Sequence, residues 1–248
     1  MKRARRPMQW LEAGRAIRTL VRNPDDTSQV FRIIRALSGP AADRQFERFR
    51  ATEAGRRILA ENRSLLARLS DREVLAQLPS GSLGHAYAEF TRAERISPQG
   101  LVDASLEAPA EVDTCPERAL FAARLRDGHD LWHVVTGYGR DLLGEAALLA
   151  FTYRQTGNPG IGLIVLTAWW KAGRDLPGSR ALILDGYRRA GTAAWLPAVD
   201  WESLFEWPLE EVRQTLRVTP VEAYTAVRSV RAPRLAYRIG AIDRSLAL

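Results

Sequence analysis

Apolar residues return at helical spacing in segment after segment of this chain. Over residues 8–22, Trp10, Leu11, Ala16, Ile17, Leu20 and Val21 interleave with basic residues, which predicts an amphipathic helix. Asn23-Pro24-Asp25-Asp26-Thr27 then breaks and restarts the helix, with Asp25, Asp26 and Thr27 on offer as N-caps. The second helix carries Val30, Phe31, Ile33, Ile34 and Leu37 on one face and is expected to end at Ser38-Gly39-Pro40, so the two form a helical hairpin. Residues 44–69 stay helical apart from an interruption near 52–55. A short helix over 71–78 stops at Leu78-Pro79-Ser80-Gly81-Ser82, and a longer one over 83–96 follows. Residues 103–116, with Pro109, Pro116 and several acids, read as a long loop. Its end announces a helix: Thr114, then Pro116 and Glu117, supply a cap, a first-turn proline and a first-turn acid.

A single helix is predicted over 117–136, stopped by Gly137-Tyr138-Gly139, and another over 142–156, stopped by Gly157-Asn158-Pro159-Gly160. An apolar helix over 161–172, a helix over 179–191, a tryptophan-rich segment over 195–207 and a last helix over 209–216 lead into a tail, 219–248. No period-two alternation long enough for a sheet occurs, and no internal repeat. The expected fold is all-α: a single multi-helical domain. It divides into a basic tip and first helix (1–22), the main helical domain (23–224) and a C-terminal tail (225–248).

With 248 residues and 46% apolar content, the chain can bury the core of one large domain. One cysteine, Cys115, excludes an internal disulfide and a cysteine-rich zinc module, and suits a reducing, intracellular compartment. The longest clean apolar run, residues 161–170, is about half of the roughly 20 residues a spanning helix needs. The basic start, Met1-Lys2-Arg3-Ala4-Arg5-Arg6-Pro7, is followed by no apolar core of a signal peptide. The net charge of +7, carried mostly by arginine, suits an acidic partner. An anionic membrane surface fits better than nucleic acid, for which no helix-turn-helix, zinc finger or RNP-type aromatic pattern is found. Solubility alone is the plainer use of such charge.

Only three histidines occur, yet His129 and His133 stand four apart, on one helix face a turn apart. Chance gives roughly 0.02 such pairs in a chain of this length. Two imidazoles so placed can aim their nitrogens at one metal ion. Asp130 adjoins His129 and either reaches the metal from the flank or orients a histidine from behind it. Glu145 follows a glycine-punctuated turn and begins a helix that can fold back on the first, with Gly144 allowing close approach of the two backbones. Two imidazoles and two carboxylates suit zinc, iron(II) or manganese. With only one carboxylate bound, the set becomes the pattern of non-haem iron chemistry. A histidine pair satisfied by Asp130 and Glu145 without metal is the alternative. His85 has no spaced partner and reads as a structural or surface residue. The zincin motif needs glutamate where Asp130 stands, and no nucleotide loop, Walker motif or Gly-x-Ser-x-Gly elbow is present.

His129-Asp130-Leu131-Trp132-His133, followed at twelve residues by Glu145, resembles the signature of the Coq-four family of ubiquinone (coenzyme Q) biosynthesis proteins. Gly55-Arg56-Arg57-Ile58-Leu59, Leu78-Pro79-Ser80-Gly81-Ser82-Leu83-Gly84 with Ala86-Tyr87 and Phe90, and Ile96-Ser97-Pro98 agree with it. The resemblance spans about residues 23–224, and the run from His133 to Asp141 is similar to the bacterial branch. Gln99-Gly100-Leu101 departs from the Asp-Thr-Arg that the family often has there.

The resemblance implies an all-helical fold in which His129, Asp130, His133 and Glu145 hold a metal and form the catalytic set, beside a hydrophobic groove for a polyprenylated quinone precursor. The implied reaction is an oxidative decarboxylation, by a lyase or oxidoreductase, that replaces the C1 carboxylate of a prenylated hydroxybenzoate with hydroxyl. The alternative it implies is a non-catalytic, lipid-binding scaffold that organises other ubiquinone-biosynthesis proteins at the membrane. On the enzyme reading, Arg140 or the Arg56-Arg57 pair steadies the anionic head group. Residues 142–170 are apolar enough to line a channel for the isoprenoid tail, or to be core. Trp169 and Trp170 beside Lys171 suit a bilayer surface. A homodimer, peripheral on the inner face of the cell membrane and otherwise cytoplasmic, is the expected state.

Overall fold

A computed structural model describes residues 7–107, 114–222, 224, 227–228 and 246–247. The basic tip at 1–6 and most of the tail lie outside the described residues. Helices α1 (Trp10–Arg22) and α2 (Thr27–Ala51) form the expected hairpin. Ala13 and Ala16, small enough to let two helices approach, are buried among Ile33, Ala36 and Leu37 and, from a later helix, Leu163 and Ile164. The expected stop at Gly39 is instead a break within α2. Gly39 takes φ 37°, ψ −131°, a conformation that glycine tolerates, and Pro40 restarts the helix, where a missing N–H costs nothing.

Thr52 ends α2 and caps α3 (Glu53–Ala60), its hydroxyl accepting from the Gly55 N–H at 2.9 Å. A second interruption, which the apolar pattern hides, follows at Asn62 with φ 48°, and Ser64 then caps α4 (Leu65–Ser70). Next come α5 (Arg72–Gln77) and α6 (Leu83–Glu94). Helix α7 (Pro98–Glu107) corrects the loop expected from residue 103. Ser97 accepts from the Gly100 N–H, Gln99 bonds Asp103 one turn on, and Ser105 is buried. Local bonding and burial thus outweigh the acidic composition, and the rest of that segment, 108–113, lies outside the described residues.

The helix expected over 117–136 is two, α8 (Pro116–Asp127) and α9 (His129–Thr136), joined at Gly128. At φ −73°, ψ −8°, this poor helix former ends one helix and opens the other. Helices α10 (Leu142–Thr156) and α13 (Leu209–Leu216) fall at their predicted bounds, with α11 (Pro159–Asp175) and α12 (Ser179–Thr192) between them. Helix α12 packs on α10 across Gly186, where a Cβ would stand 2.2 Å from the Ala147 carbonyl oxygen. The tryptophan-rich segment makes two 3₁₀ turns, Leu196–Ala198 and Trp201–Leu204, that bury Leu196 and Trp201. Among the described residues the only strand pairing is a two-residue parallel one, Val227–Arg228 with Leu246–Ala247, so the fold is all-α.

Helix α9 runs through the main core, with Leu131, Trp132, Val134 and Val135 buried. A buried helix end must find donors for its last four carbonyls. Here all four are met: His133 by the Gly137 N–H, Val134 and Val135 by the guanidinium of Arg213, and Thr136 by the Val221 N–H. The two chemistry-bearing histidines therefore sit on a helix whose end is fixed by α13 and by the chain that follows it.

Candidate metal centre

The imidazoles of His129 and His133 meet edge to face, with ring centroids 4.8 Å apart. Ligand atoms of His129, Asp130 and His133 lie within 4.8 Å of one another. Glu145, in the first turn of α10, places Oε2 3.5 Å from His129 Nε2 and Oε1 3.5 Å from His133 Nε2. Two atoms that share a tetrahedral ion at about 2.0–2.1 Å stand about 3.3 Å apart, so this spacing, which is also that of an ion pair, is one that two ligands of an ion can take.

The turn between the helices sets this geometry. Gly137, at φ 79°, ends α9, and Asp141 caps α10, its Oδ1 accepting from the N–H groups of Leu143 and Gly144. A Cβ on Gly144 would lie 2.2 Å from the Gly139 oxygen and 2.4 Å from the Tyr224 hydroxyl. The close approach expected at Gly144 is thus to its own preceding turn and to Tyr224.

His133 is fully buried, and Phe90 stacks on it at 5.6 Å. Its Nδ1 lies 2.8 Å from the Tyr138 carbonyl oxygen. A carbonyl only accepts, so Nδ1 carries the hydrogen, and in the neutral ring Nε2 holds the lone pair. That Nε2 is buried without a hydrogen-bond partner and faces Glu145. The set fits a divalent ion: an orphaned imidazole nitrogen with its tautomer assigned, a second imidazole and two carboxylates. Burial opposes a charge on His133, but Glu145, Asp130 and the Tyr138 carbonyl outweigh it and raise its pKa. Burial likewise opposes ionisation of Glu145, yet His133 and His129 hold it well below the usual carboxylate range. Metal binding at Nε2 requires the neutral ring, so a divalent ion there competes with protons.

Asp130 and His133 form a buried floor, while His129, Glu145 and Arg140 keep 23%, 30% and 28% side-chain exposure and form a rim. Arg140 Nε is 3.4 Å from Glu145 Oε1. Burial disfavours the Arg140 cation, but Glu145, Asp130 and Glu94 more than offset this. Of the three arginines singled out in the sequence, the structure brings only Arg140 to the cluster. Arg56 donates to the Ala51 carbonyl, and Arg57 joins Arg63 on Asp200. Sequence reasoning missed Glu94, although helical spacing on α6 from Tyr87 through Phe90 and Thr91 to Glu94 carries the signal. It also missed Asp141 as a cap, and Tyr224.

The inward faces of α10 and α11, with Leu143, Ala147, Leu148, Phe151, Ile161 and Ile164 buried, are packed as core. A cavity of about 670 Å³ opens instead beside α5 and α6, where Arg72, His85, Glu89 and Arg92 share its walls with apolar surface from Ala76 and Ala88. On α11, Leu166, Trp169 and Trp170 are exposed, with Arg180 over the Trp169 ring at 4.5 Å and Arg174 over Trp170 at 5.1 Å. Among the described residues no helix is long and apolar enough to cross a membrane.

A family model described as coenzyme Q (ubiquinone) biosynthesis protein Coq4 matches residues 6–222. Mitochondrial ubiquinone biosynthesis protein COQ4 of Lachancea thermotolerans is 28% identical over 216 residues, covering 85% of this chain and 63% of the relative. The mitochondrial COQ4 homolog of Aedes aegypti is 30% identical over 213 residues, 84% of this chain and 74% of that one. The chain therefore spans somewhat under two thirds of the yeast relative's length. A crystal structure of a Nostoc punctiforme protein, provisionally assigned to ubiquinone biosynthesis, shares the fold. Its TM-score is 0.62 and its identity 23%, over 85% of this chain and 98% of that one.

Proposed function

This chain belongs to the Coq4 family of coenzyme Q (ubiquinone) biosynthesis proteins, and from that premise we propose that it is a metal-dependent oxidative decarboxylase of a polyprenylated hydroxybenzoate in ubiquinone biosynthesis. The observation that carries this reading is the buried Nε2 of His133, which has no hydrogen-bond partner and lies 3.5 Å from Glu145. His129, Asp130, His133 and Glu145 would hold the ion, which when bound supplies a Lewis acid with open positions. Zinc, iron(II) and manganese all suit this donor set.

In the proposed reaction the bond from C1 to the carboxylate breaks, carbon dioxide leaves and a hydroxyl whose oxygen comes from water takes its place, a two-electron oxidation in which dioxygen accepts both electrons and leaves as hydrogen peroxide. Arg140 stands at the rim, where its guanidinium pairs with the anionic head group and orients it over the floor. The rim exposure of His129 and Glu145 supports entry of the ring from solvent or from a membrane surface. The test is release of labelled carbon dioxide from carboxyl-labelled substrate, using protein purified without oxygen and loaded with each ion in turn. Release in air with at least one ion, abolished by a chelator, is expected. Loaded protein that binds the lipid and releases nothing in air would leave the scaffold reading in place.

The exposed face of α11 supports peripheral attachment to an anionic membrane surface, where indoles and arginines both find favourable partners. There the protein would meet its lipid substrate, as a homodimer and beside other proteins of ubiquinone synthesis. Replacing Trp169 and Trp170 with serine is expected to weaken sedimentation with phosphatidylserine-containing vesicles at least about tenfold, because two large apolar side chains leave the interface. Unchanged sedimentation would sink that placement of α11.

A further inference from the structure

We propose that Tyr224 is a positioning residue for the metal centre, its hydroxyl clamping the turn between His133 and Glu145 and so setting where the Glu145 carboxylate stands. The inference rests on the metal reading above. It starts from the path of the chain after α13. Arg189 donates to the Thr219 and Pro220 carbonyls at 3.1 and 2.8 Å, and the Val221 N–H donates to Thr136 at 2.8 Å. These bonds lay residues 219–221 across the end of α9 and deliver Tyr224 to the turn.

There the phenol oxygen accepts from the Gly139 N–H at 2.9 Å and donates to Asp141 Oδ2. The second carboxylate oxygen, Oδ1, caps α10 through Leu143 and Gly144. One hydroxyl therefore joins the two sides of the turn. On one side lies Tyr138, whose carbonyl receives the His133 Nδ1–H; on the other begins the helix that carries Glu145. Gly144 is part of the same fitting, because a Cβ there would stand 2.4 Å from the phenol oxygen. The Tyr224 ring also leans on Tyr138, with centroids 6.4 Å apart. Tyr224 lies two residues beyond the stretch matched by the family model.

Phenylalanine at 224 keeps the ring and removes both hydrogen bonds. The experiment is cobalt(II) titration with absorption spectra on wild type, Tyr224→Phe, Glu145→Gln and the double variant, with circular dichroism confirming folding. Tyr224→Phe is expected to lose about 10- to 100-fold in cobalt affinity, the usual effect of removing a group that orients a ligand. Its visible bands should shift in the same direction as those of Glu145→Gln. The double variant should bind no more weakly than Glu145→Gln alone, because the phenol acts through that carboxylate. Wild-type affinity and spectrum in Tyr224→Phe, or losses that add in full, would overturn the assignment while leaving the metal centre standing. A wild type that takes up no cobalt overturns the metal reading and this one with it. Asp141→Asn, which keeps a cap oxygen, carries the same expectation should Tyr224→Phe not fold.

Discussion

His133→Ala is expected to come out of purification almost free of metal, where the wild type carries close to one ion per chain. Zinc held by four ligands is worth about 10–16 kcal/mol. One ligand's share, about 3–4 kcal/mol, corresponds to a loss of roughly 10² to 10³ in affinity. His133 should show the largest effect in the set, since it alone is fully buried, tautomer-fixed by Tyr138 and without a hydrogen bond at Nε2. Carbon dioxide release should disappear with the metal. Elemental analysis of both proteins, purified side by side without oxygen, decides the matter: equal metal in both would remove His133 from the ligand set. The ring also packs on Phe90, so the variant leaves a hole in the core, and thermal unfolding of the metal-stripped proteins separates that effect from metal loss.

Arg213→Met should be the most destabilising single change away from the metal. The guanidinium donates to the carbonyls of Val134 and Val135 at 2.9 Å each, at an end of α9 that water does not reach. Methionine keeps the apolar stem and strands both acceptors. At about 1–3 kcal/mol for each buried unsatisfied group, the cost is roughly 2–6 kcal/mol. For a chain of this size that is a fall in melting temperature of roughly 4–24 °C by calorimetry. The ion pair with Glu210 contributes little, because that carboxylate is 69% exposed. Glu210→Gln should therefore melt within about 2 °C of the wild type, and a similarly small change in Arg213→Met would refute the capping role.

These two residues also mark what was legible in the chain. The histidine pair could be read because a helix turns local spacing into shared direction, and Glu145 because a glycine-rich turn of fixed length returns the chain to the same place. Helices α10 and α13 were legible from caps and apolar period. The bend at Gly128 was not, since apolar spacing continues through it and only the glycine marks the joint. Helix α7 was hidden by composition, because Asp103, one of the acids that read as loop, bonds Gln99 one turn back within the helix. Arg213, Glu94 and Tyr224 reach the site from α13, α6 and the chain beyond α13. No local pattern announces such long-range partners. Arg56 and Arg57 stood out through their neighbours in the sequence, yet their own bonds, to Ala51 and Asp200, hold α3 in place.

On the proposed metal reading, the contrast between a buried floor and a partly open rim bears on when in the protein's life an ion would arrive. The floor residues are set by the surrounding core and by backbone carbonyls, both of which form as the chain folds. His129 and Glu145 still touch solvent, so an ion has a way in after folding and a chelator has a way out with it. Loading would then be a step of its own after folding, open to control by whichever ion the cell keeps at the highest free concentration. The selection among zinc, iron and manganese would fall in part to the metal supply of the compartment as well as to the ligands.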